Sequence, residues 1–354
     1  MIDLHVFACG HGDTILVRLP NDRTVLIDCC LSKSTGALSR FLEFLANLGI
    51  SRLDYIFQTH PDIDHFLGMT DVLEHFTKDQ RSIGTWCDAG VNAQQVRPLV
   101  MTDRISRRHY DKLQSLLDKL HARGFIESFY EISDQHFPVS PKETPGVAFV
   151  PIAPSATRKR SLFRTSLEAL NDDQNVQLPS NALSVVLVLC VQLDGTTWNF
   201  LLTADSEPED LRIALSNWDR YATAMGFLPT IHGTKVSHHG SSHSHVAELC
   251  RGKRDSAIDR VAVISAGTRP GLPHCEVLRD YLREEWIVLI TTKRNQCRTK
   301  SHPFEIAGRR RHVETKYESH DIQITWCPES GMTWNPIAAR LAEDDCDEYS
   351  LRAF

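Results

Sequence analysis

Short apolar segments separated by turn residues dominate the first sixty positions of the chain. Most are rich in β-branched and aliphatic side chains and are bounded by glycine, proline or asparagine, which is typical of strands joined by tight turns. One segment instead has apolar side chains at helical spacing and ends at Gly49. The pattern predicts three strands, a helix and a buried fourth strand, in this order, at residues 4–8, 14–19, 24–28, 35–48 and 53–58.

A second regular block begins at Asn181. Two β-rich runs flank Asp194-Gly195, a dipeptide that favours a two-residue hairpin turn. Helical spacing then alternates with further apolar runs. The predicted strands lie at residues 184–192, 198–203, 230–237, 260–265, 287–292 and 321–326, and the predicted helices at 207–225 and 273–284.

The stretch between the two blocks is less regular. It includes an amphipathic helix within residues 94–123 that is rich in Arg and Lys. A solvated helix face explains this charge better than a basic lid over a phosphate-rich ligand. We therefore predict one α/β domain over residues 1–300 with a helical insertion at about 71–180, and a C-terminal extension at 301–354 that packs on the domain.

Composition excludes several classes of protein. With 42% hydrophobic and 24% charged residues, the 354-residue chain has an ordinary globular composition. Its formal net charge of -6 is unlike that of a general nucleic-acid coat protein, although bound divalent metals can dominate the charge of a local phosphodiester site.

The location of the protein is also constrained by its sequence. No signal-peptide pattern begins the chain, and the longest apolar run, residues 184–193, is about half of the roughly 20 residues that a membrane helix needs. The ten cysteines form no C-x-x-C pair and lie mostly in apolar stretches. We therefore expect reduced, buried cysteines in a cytoplasmic protein with no membrane partner.

The strongest chemical signal lies directly after the 53–58 strand. His60, Asp62, Asp64 and His65 are four potential metal ligands within six positions, and a loop at a strand end can direct several side chains to one point. Imidazole nitrogen and carboxylate oxygen suit zinc and manganese, whereas carboxylates are rarely buried without a partner or a metal. The sequence therefore predicts a metal site here.

Two further strand ends carry the same residue types. Asp205 follows the 198–203 strand. Alone it would be interpreted as the N-cap of the next helix, but beside the other ligands it is a candidate to bridge two metals. The 230–237 strand ends at His238-His239, and both are candidate ligands. Because adjacent side chains point in different directions, we expect one to bind metal and the other to support it or to contact substrate.

The ordered set of these motifs resembles the metallo-β-lactamase superfamily, and most of all the soluble metallo-hydrolase domain of ComEC-type DNA-uptake proteins. The resemblance spans about residues 1–70 and 181–295. It implies an α/β (α+β) fold, an αββα sandwich of two mixed β-sheets flanked by helices, with a two-metal site at the sheet edge and hydrolysis of a phosphodiester or a related bond. The matching residues are Gly10-His11-Gly12-Asp13, Asp28, His60-x-Asp62-x-Asp64-His65, Asn181-x-x-Ser184, Asp205 and His238-His239-Gly240-Ser241.

The resemblance also implies roles for residues around the metals. Asp13, Asp28 and Ser184 would orient the ligands by hydrogen bonds. His274 would contact phosphate or protonate the leaving group, although a histidine in the first turn of a helix is an equally good interpretation. Asp62 stands where the superfamily usually has a second histidine, and the ComEC-like branch has the same replacement. The extra carboxylate makes manganese a serious competitor to zinc.

The expected chemistry is hydrolysis by a metal-activated water. Two divalent ions, Zn²⁺ or Mn²⁺, would lower the pKa of a bound water, and Asp64 or Asp205 would hold that water in line. We expect a nucleic acid or a nucleotide as substrate. A hydrolase of a small ester, lactone or thioester and a metal-stabilised binding module without turnover are the alternatives. The candidate substrate contacts are Lys235, Ser241, Arg269 and Lys293.

Overall fold

The computed structural model describes residues 1–78, 81–90, 104–133, 139, 144–171, 180–252, 258–267, 272–291, 304–306, 309–314, 321–335 and 340–343. The strands in these ranges are β1 (Ile2–Val6), β2 (Ile15–Arg18), β3 (Thr24–Ile27), β4 (Leu53–Gln58), β5 (Ile83–Asp88), β6 (Ile126–Glu131), β7 (Val147–Ala153), β8 (Val186–Leu193), β9 (Thr196–Leu202), β10 (Gly233–Lys235), β11 (Val261–Ile264), β12 (Ile287–Ile290), β13 (Phe304–Ile306), β14 (Arg309–Glu314), β15 (Ile322–Cys327), β16 (Gly331–Asn335) and β17 (Arg340–Glu343). The helices are α1 (Ala37–Asn47), α2 (Ile63–Phe66), α3 (Met69–Lys78), α4 (Arg104–Ala122), α5 (Ala156–Asn171), α6 (Pro208–Met225), α7 (Ala247–Cys250) and α8 (Cys275–Arg283). Single turns of 3₁₀-helix lie at Ser180–Leu183, Ser237–Gly240 and Ser242–Ser244.

Two mixed sheets organise most of these strands. The first has the order β16-β15-β1-β2-β3-β4-β5-β6, and its strands β3 to β6 are parallel. The second has the order β12-β11-β10-β9-β8-β7, and its strands β9 to β12 are parallel. Strands β13, β14 and β17 form a separate antiparallel sheet of three.

The main hydrophobic core lies between the two large sheets. Aromatic rings from one sheet stack on rings from the other, with ring centroids 6.1 Å apart for Trp198 and Trp326 and 5.5 Å apart for Phe57 and Phe149. All four side chains are almost fully buried. Offset aromatic contacts at this separation add to the burial of apolar area, so the two sheets are held face to face.

Helices cover the outer faces of the sandwich because each has one apolar stripe. Leu38, Phe41 and Leu45 of α1 recur at three- and four-residue spacing and are buried in the core of the first sheet. Leu211 and Trp218 of α6 pack in the same way against the second sheet. The αββα sandwich implied by the sequence motifs is therefore confirmed.

The segments outside the two regular blocks contribute more strand than the sequence predicts. The stretch expected to be a helical insertion, about 71–180, holds β5 and β6 at one edge of the first sheet and β7 at an edge of the second. The expected C-terminal extension supplies β15 and β16, and β15 pairs with β1 in the first sheet. These segments are thus integral to the sandwich.

The cysteines agree with the sequence prediction at all but two described positions, Cys275 and the half-buried Cys327. Seven are free, and six of these are buried. Cys275 is disulfide-bonded, so the prediction of uniformly reduced cysteines is wrong there. None of the helices in the described part of the chain combines the length and the apolar character needed to cross a bilayer.

The carboxyl ends of three strands set up the functional site. Strands β9 and β10 are neighbours and parallel, so the loops after Leu202 and Lys235 leave the same edge of the second sheet. In the first sheet, β4 ends at Gln58, and the Thr59 carbonyl that follows accepts a hydrogen bond from the Val185 N–H just before β8 (3.0 Å). The sandwich therefore brings all three loops to one edge.

Candidate metal centre

The loop after β4 is a short, rigid turn. Asp62 precedes α2, and its carbonyl accepts a hydrogen bond from the His65 N–H (2.9 Å), which fixes the loop. His60 Nε2 lies 3.6 Å from Asp62 Oδ2, and the rings of His60 and His65 are 4.0 Å apart between centroids. Both histidines are buried, whereas the side chain of Asp62 is 40% exposed, so the carboxylate stands at the mouth of the site.

The second sheet contributes its residues through strained backbone. Ala204, His238 and His239 have φ values of 48°, 48° and 54°, in the left-handed region that non-glycine residues seldom adopt. The His238 N–H donates to the Ala204 carbonyl (3.1 Å), which ties the two loops together. Strain of this kind persists where the surrounding structure enforces it and is concentrated at functional sites, and here it turns Asp205 and His239 inwards.

Four side chains from the two sheets converge on one point. Each of Asp64, His65, Asp205 and His239 offers one ligand atom, and these atoms all lie within 4.8 Å of one another. Asp205 is central, because its Oδ1 is 3.5 Å from His65 Nε2 and its Oδ2 is 3.6 Å from His239 Nε2. Asp64 Oδ2 lies 3.8 Å from His239 Nε2 and His238 Nε2 lies 3.8 Å from Asp205 Oδ2.

One carboxylate below the cluster orients two of the histidines. Asp28 Oδ2 accepts hydrogen bonds from His65 Nδ1 (2.7 Å) and from the Thr59 hydroxyl (2.7 Å). Because that hydroxyl proton is committed to Asp28, Thr59 Oγ1 accepts from His60 Nδ1 (3.1 Å). Both rings therefore carry a proton on Nδ1 and turn Nε2 towards the site, which is the arrangement that metal-binding histidines usually have.

The third buried histidine is oriented by a backbone carbonyl. His239 Nδ1 donates to the Ser265 carbonyl (2.8 Å), and this again directs Nε2 to the cluster. The Nε2 atoms of His60, His65 and His239 and Asp205 Oδ1 are all buried and make no hydrogen bond. Buried polar atoms without partners are costly, so imidazole nitrogens that face carboxylates fit a divalent cation.

Burial and charge act against each other on the ionisable groups of the cluster. Burial alone would raise the pKa of Asp205, but the neighbouring His239 and His65 hold that pKa well below its usual range. Burial likewise opposes the charged form of His65, yet the carboxylates of Asp205 and Asp28 raise its pKa well above normal. Burial lowers the pKa of His239 to about 4, so this ring is neutral at pH 7 and ready to coordinate.

Lys235 occupies a structural position instead of a substrate-facing one. Its ammonium is 2.5 Å from Asp13 Oδ2, and its side chain is only 1% exposed. Burial lowers the pKa of Lys235, but Asp13 and Asp205 outweigh it and raise that pKa. The expected contact of Lys235 with a substrate phosphate does not fit this enclosed ion pair, which sits beneath Asp205.

A second group of ligand-type atoms belongs to the support of the site. Asp13, Asp28 and His65 also offer atoms within 4.8 Å of one another. The carboxylate of Asp13 is held by Lys235 and by the Ser265 hydroxyl, and that of Asp28 by Thr59 and His65. These carboxylates are thus committed to contacts with neighbouring side chains.

His274 lies beside the 3₁₀ turns that follow the paired histidines. Its Nδ1 accepts a hydrogen bond from the Ser242 N–H (2.8 Å), so in the neutral ring the proton is on Nε2. A ring of this tautomer can donate a hydrogen bond to a phosphate oxygen. Either expected role, contact with phosphate or proton transfer to the leaving group, would use this Nε2 hydrogen.

The remaining candidate residues are distributed unevenly. Ser241 is buried, and its hydroxyl accepts from the His243 N–H (3.3 Å), which makes it a turn residue instead of a surface contact. Ser184 is buried next to the Thr59 loop. Arg269 and Lys293 lie outside the described residues.

Sequence reasoning placed His11 in the Gly10–Asp13 motif but gave it no role of its own. Its ring lies 4.4 Å from that of His239 between centroids, and the backbone around it is packed so tightly that a Cβ on Gly267 would collide with the His11 N atom. The signal available in the sequence was a histidine between two glycines in a turn. Thr59 and Ser265 were also missed, because their contacts depend on the fold.

Comparison with known proteins adds a family match. The model of the metallo-β-lactamase superfamily matches residues 8–163, which is less than half of the chain and includes the loop after β4 with Asp64 and His65 of the cluster. The comparison supports a relationship of the chain to the metallo-β-lactamase superfamily. Members of this superfamily are hydrolases, and the cluster of ligand-type side chains described above is compatible with a bound metal.

Several solved structures resemble the chain at low sequence identity. The metallo-β-lactamase fold protein YhfI from Bacillus subtilis is 10% identical, with 82% of this chain and 95% of that chain covered and a TM-score of 0.43. A diphosphatase from the PhnP family is 13% identical, with coverages of 82% and 94% and a TM-score of 0.39. The metallo-β-lactamase SMB-1 is 13% identical, with coverages of 66% and 76% and a TM-score of 0.33. The search of curated proteins returned no match.

Proposed function

We propose that the protein is a metal-dependent phosphodiesterase or nuclease that acts on a nucleic acid or a nucleotide. The observation that carries the proposal is the convergence of Asp64, His65, Asp205 and His239, with imidazole nitrogens that have no protein partner. Two carboxylates and two imidazoles are a suitable ligand set for Zn²⁺ or Mn²⁺. A bound divalent ion would lower the pKa of a water molecule and offset negative charge on a phosphoryl group.

The exposure of the site residues supports a substrate that approaches from one side. His60, His65, Asp205 and His239 form a buried floor, while the side chains of Asp62, Asp64 and His238 are 40%, 26% and 35% exposed. This rim can contact a substrate while the floor holds the metal. Asp64 combines exposure with a position in the cluster, so it is our candidate to hold the attacking water.

The preference for a phosphodiester rests on the donor set and on the resemblance to ComEC-type domains. A site with two carboxylates binds divalent cations that also bind phosphate oxygens. His274, with a proton on Nε2, is a candidate donor to a phosphate oxygen at the edge of the site. In this proposal the protein works in the cytoplasm on a nucleotide-bearing substrate.

The test is hydrolysis of phosphodiesters by metal-loaded protein. Single-stranded DNA, a cyclic dinucleotide and a generic chromogenic phosphodiester serve as substrates, with a lactone and a thioester run beside them. We expect cleavage of at least one phosphodiester, and a loss of more than about 100-fold in Asp64→Ala and Asp205→Ala, since even the partners of metal ligands contribute about 10–100-fold.

The controls separate chemistry from folding. Asp210→Asn removes a carboxylate of helix α6 that pairs with Arg158 of helix α5 and is not a member of the cluster, and this variant should keep full activity. Each variant is compared with the wild type by circular dichroism. Activity that persists in folded Asp64→Ala and Asp205→Ala would refute the proposal. Turnover of the lactone or thioester alone would replace it with a small-ester hydrolase.

A further inference from the structure

Helix α4 begins with a cluster of basic side chains that the metal centre does not explain. Arg104 and Arg108 are exposed, and Arg107 between them is half-buried. The first turn of this helix contains no acidic residue. Positive charge near the start of a helix opposes the helix dipole, so the cluster does not serve the stability of α4. A negatively charged ligand explains it better.

The connections of α4 place its basic end at the sheet edge that carries the metal centre. Strands β4, β5 and β6 are parallel, and α4 lies between β5 and β6 in the chain. Just after the helix, the Phe125 carbonyl accepts a hydrogen bond from the Ile83 N–H at the start of β5 (2.8 Å), so α4 ends at the amino ends of these strands. A helix that connects two parallel strands begins at their carboxyl ends. The ligand loop leaves β4 at that same edge.

A ring contact fixes the basic end of α4 beside the ligand loop. Tyr110 packs edge-on against Phe66 of α2, with ring centroids 5.3 Å apart, and both side chains are buried. Phe66 directly follows His65 of the cluster. Arg104 and Arg107 precede Tyr110 by about 9 and 4.5 Å along the helix axis. The first two turns of α4 therefore extend past Phe66 at the edge of the site.

The exposed surface of these turns is both basic and apolar. Ile105 is 65% exposed, and His109 is exposed as well. Guanidinium groups bind phosphate oxygens, whereas apolar and imidazole side chains can pack against unpaired bases. A single strand offers both a row of phosphates and unpaired bases, whereas a duplex keeps its bases stacked inside. The surface therefore fits a single strand better than a duplex or a mononucleotide.

We propose that the first two turns of α4 bind a single-stranded nucleic acid whose scissile phosphate lies at the metal cluster. Arg104 and Arg108 contact phosphates beyond the scissile one, and Ile105 and His109 pack against bases. The formal net charge of -6 leaves attraction of the strand to local basic surfaces such as this one. The inference rests on the proposed function and names the substrate class of the same site.

The test measures binding of a single strand separately from hydrolysis. Metal-loaded full-length protein is mixed with a fluorescein-labelled phosphorothioate oligonucleotide of about 12 nucleotides, which keeps the backbone charge and resists cleavage. Fluorescence anisotropy gives the affinity at several salt concentrations. Arg104→Gln combined with Arg108→Gln should weaken binding about tenfold or more. It should also lower the slope of log affinity against log salt by about 1.4, because two phosphate contacts are lost.

A matched control lies at the other end of the same helix. Lys119→Gln combined with Arg123→Gln removes the same charge from exposed positions that begin about 22 Å from Arg104 along the axis, and it should bind as the wild type does. Melting curves compare the folding of both variants with that of the wild type.

Three results would overturn the inference. They are equal weakening in the two variants, unchanged affinity in Arg104→Gln with Arg108→Gln, and a duplex of the same length that binds as tightly as the single strand. Hydrolysis of a small chromogenic phosphodiester by the wild type would then leave the proposed function standing. A wild-type protein that hydrolyses no phosphodiester would remove the proposed function itself.

Discussion

At the residue scale, the site depends on buried charges that are matched by partners far away in sequence. Asp13 and Lys235 form an enclosed ion pair below Asp205, and Ser265 also contacts Asp13. Such a pair is expensive to break, because removing one partner leaves the other charge buried and uncompensated. The ion pair therefore holds the floor of the metal centre in place.

Replacing Lys235 tests this role. Lys235→Met should destabilise the protein by about 3–5 kcal/mol at pH 7, whereas Asp13→Asn combined with Lys235→Met should recover part of that loss. Urea denaturation of the two variants and the wild type measures the difference. Equal destabilisation of the single and the double variant would show that the ion pair is not the cause.

The ion pair of Asp13 and Lys235 should stabilise the fold only over a limited range of pH. The pKa of Asp13 is lowered, because Lys235 and His239 outweigh the effect of burial, so its contribution to stability is present above the unfolded pKa of about 3.9 and is lost as pH falls. The pKa of Lys235 is raised, so its contribution is present below the unfolded pKa of about 10.4 and is lost as pH rises. The difference in the free energy of unfolding between wild type and Lys235→Met should be largest between about pH 4 and pH 10, and it should be smaller outside this range.

His65 gives a second prediction at this scale. Its raised pKa means that the metal-free ring holds a proton over a wider pH range, and coordination through Nε2 must release that proton. Metal affinity should therefore rise with pH up to the pKa of His65. Calorimetric titration with Zn²⁺ in buffers of different ionisation enthalpy should detect about one proton released per ion bound at that position at pH 7. Binding without proton release would contradict this.

At the element scale, tight turns bring the loops of the two sheets together. The Asp13 N–H donates to the Asp64 carbonyl (3.1 Å), and the Cys30 N–H donates to the Asp13 carbonyl (2.9 Å). Gly12 directly precedes Asp13 and has a φ of +145°, and a Cβ on Gly12 would collide with the Asp64 carbonyl. The glycine is required because the turn and the ligand loop touch backbone to backbone.

Two glycines of the same turn allow a matched test. Gly12→Ala should lower both the melting temperature and the metal affinity, because the collision displaces Asp64. Gly10→Ala also adds a side chain at positive φ (+97°), but nothing lies within 4 Å of the added Cβ. It should therefore cost only the local strain and leave metal affinity close to that of the wild type. Equal loss of metal affinity in both variants would refute the role given to close approach.

Much of the site could be predicted at this scale because ligands follow apolar strands directly. The positions of His60, Asp64, Asp205 and His239 follow from where runs of buried side chains end. The partners of those ligands could not be predicted, because the contacts of Thr59 with Asp28 and of His239 with Ser265 exist only after the sheets pack. Lys235 was misread for the same reason.

At the scale of the whole molecule, the cluster joins the two halves of the sandwich. Asp64 and His65 follow a strand of the first sheet, whereas Asp205 and His239 follow strands of the second. Sequence patterning predicted both halves but not their full extent. Strands β15 and β16 were read as part of an extension, because nothing in their local pattern specifies pairing beside β1.

A cation that bridges the two sheets should stabilise the fold. Binding to the native state alone adds about 2.7 kcal/mol when the free ion is at 100 times its dissociation constant. The melting temperature should therefore rise when Mn²⁺ or Zn²⁺ is added to chelator-treated protein, and the rise should be abolished in His239→Ala. A folded protein whose melting temperature does not change when either ion is added would contradict the binding of a cation between the two sheets.

Metal content is the most direct measure of the central claim that strand ends from both sheets converge to bind divalent cations. Purified protein is exposed to Zn²⁺ or Mn²⁺, dialysed and analysed by elemental mass spectrometry beside Asp205→Asn. Asp210→Asn is the control, because its carboxylate pairs with Arg158 and is not a member of the cluster. We predict at least one tightly held ion per chain in the wild type and in Asp210→Asn, and a clear loss in Asp205→Asn. A wild-type protein that retains no ion, or an Asp205→Asn variant that retains as much as the wild type, would contradict the account.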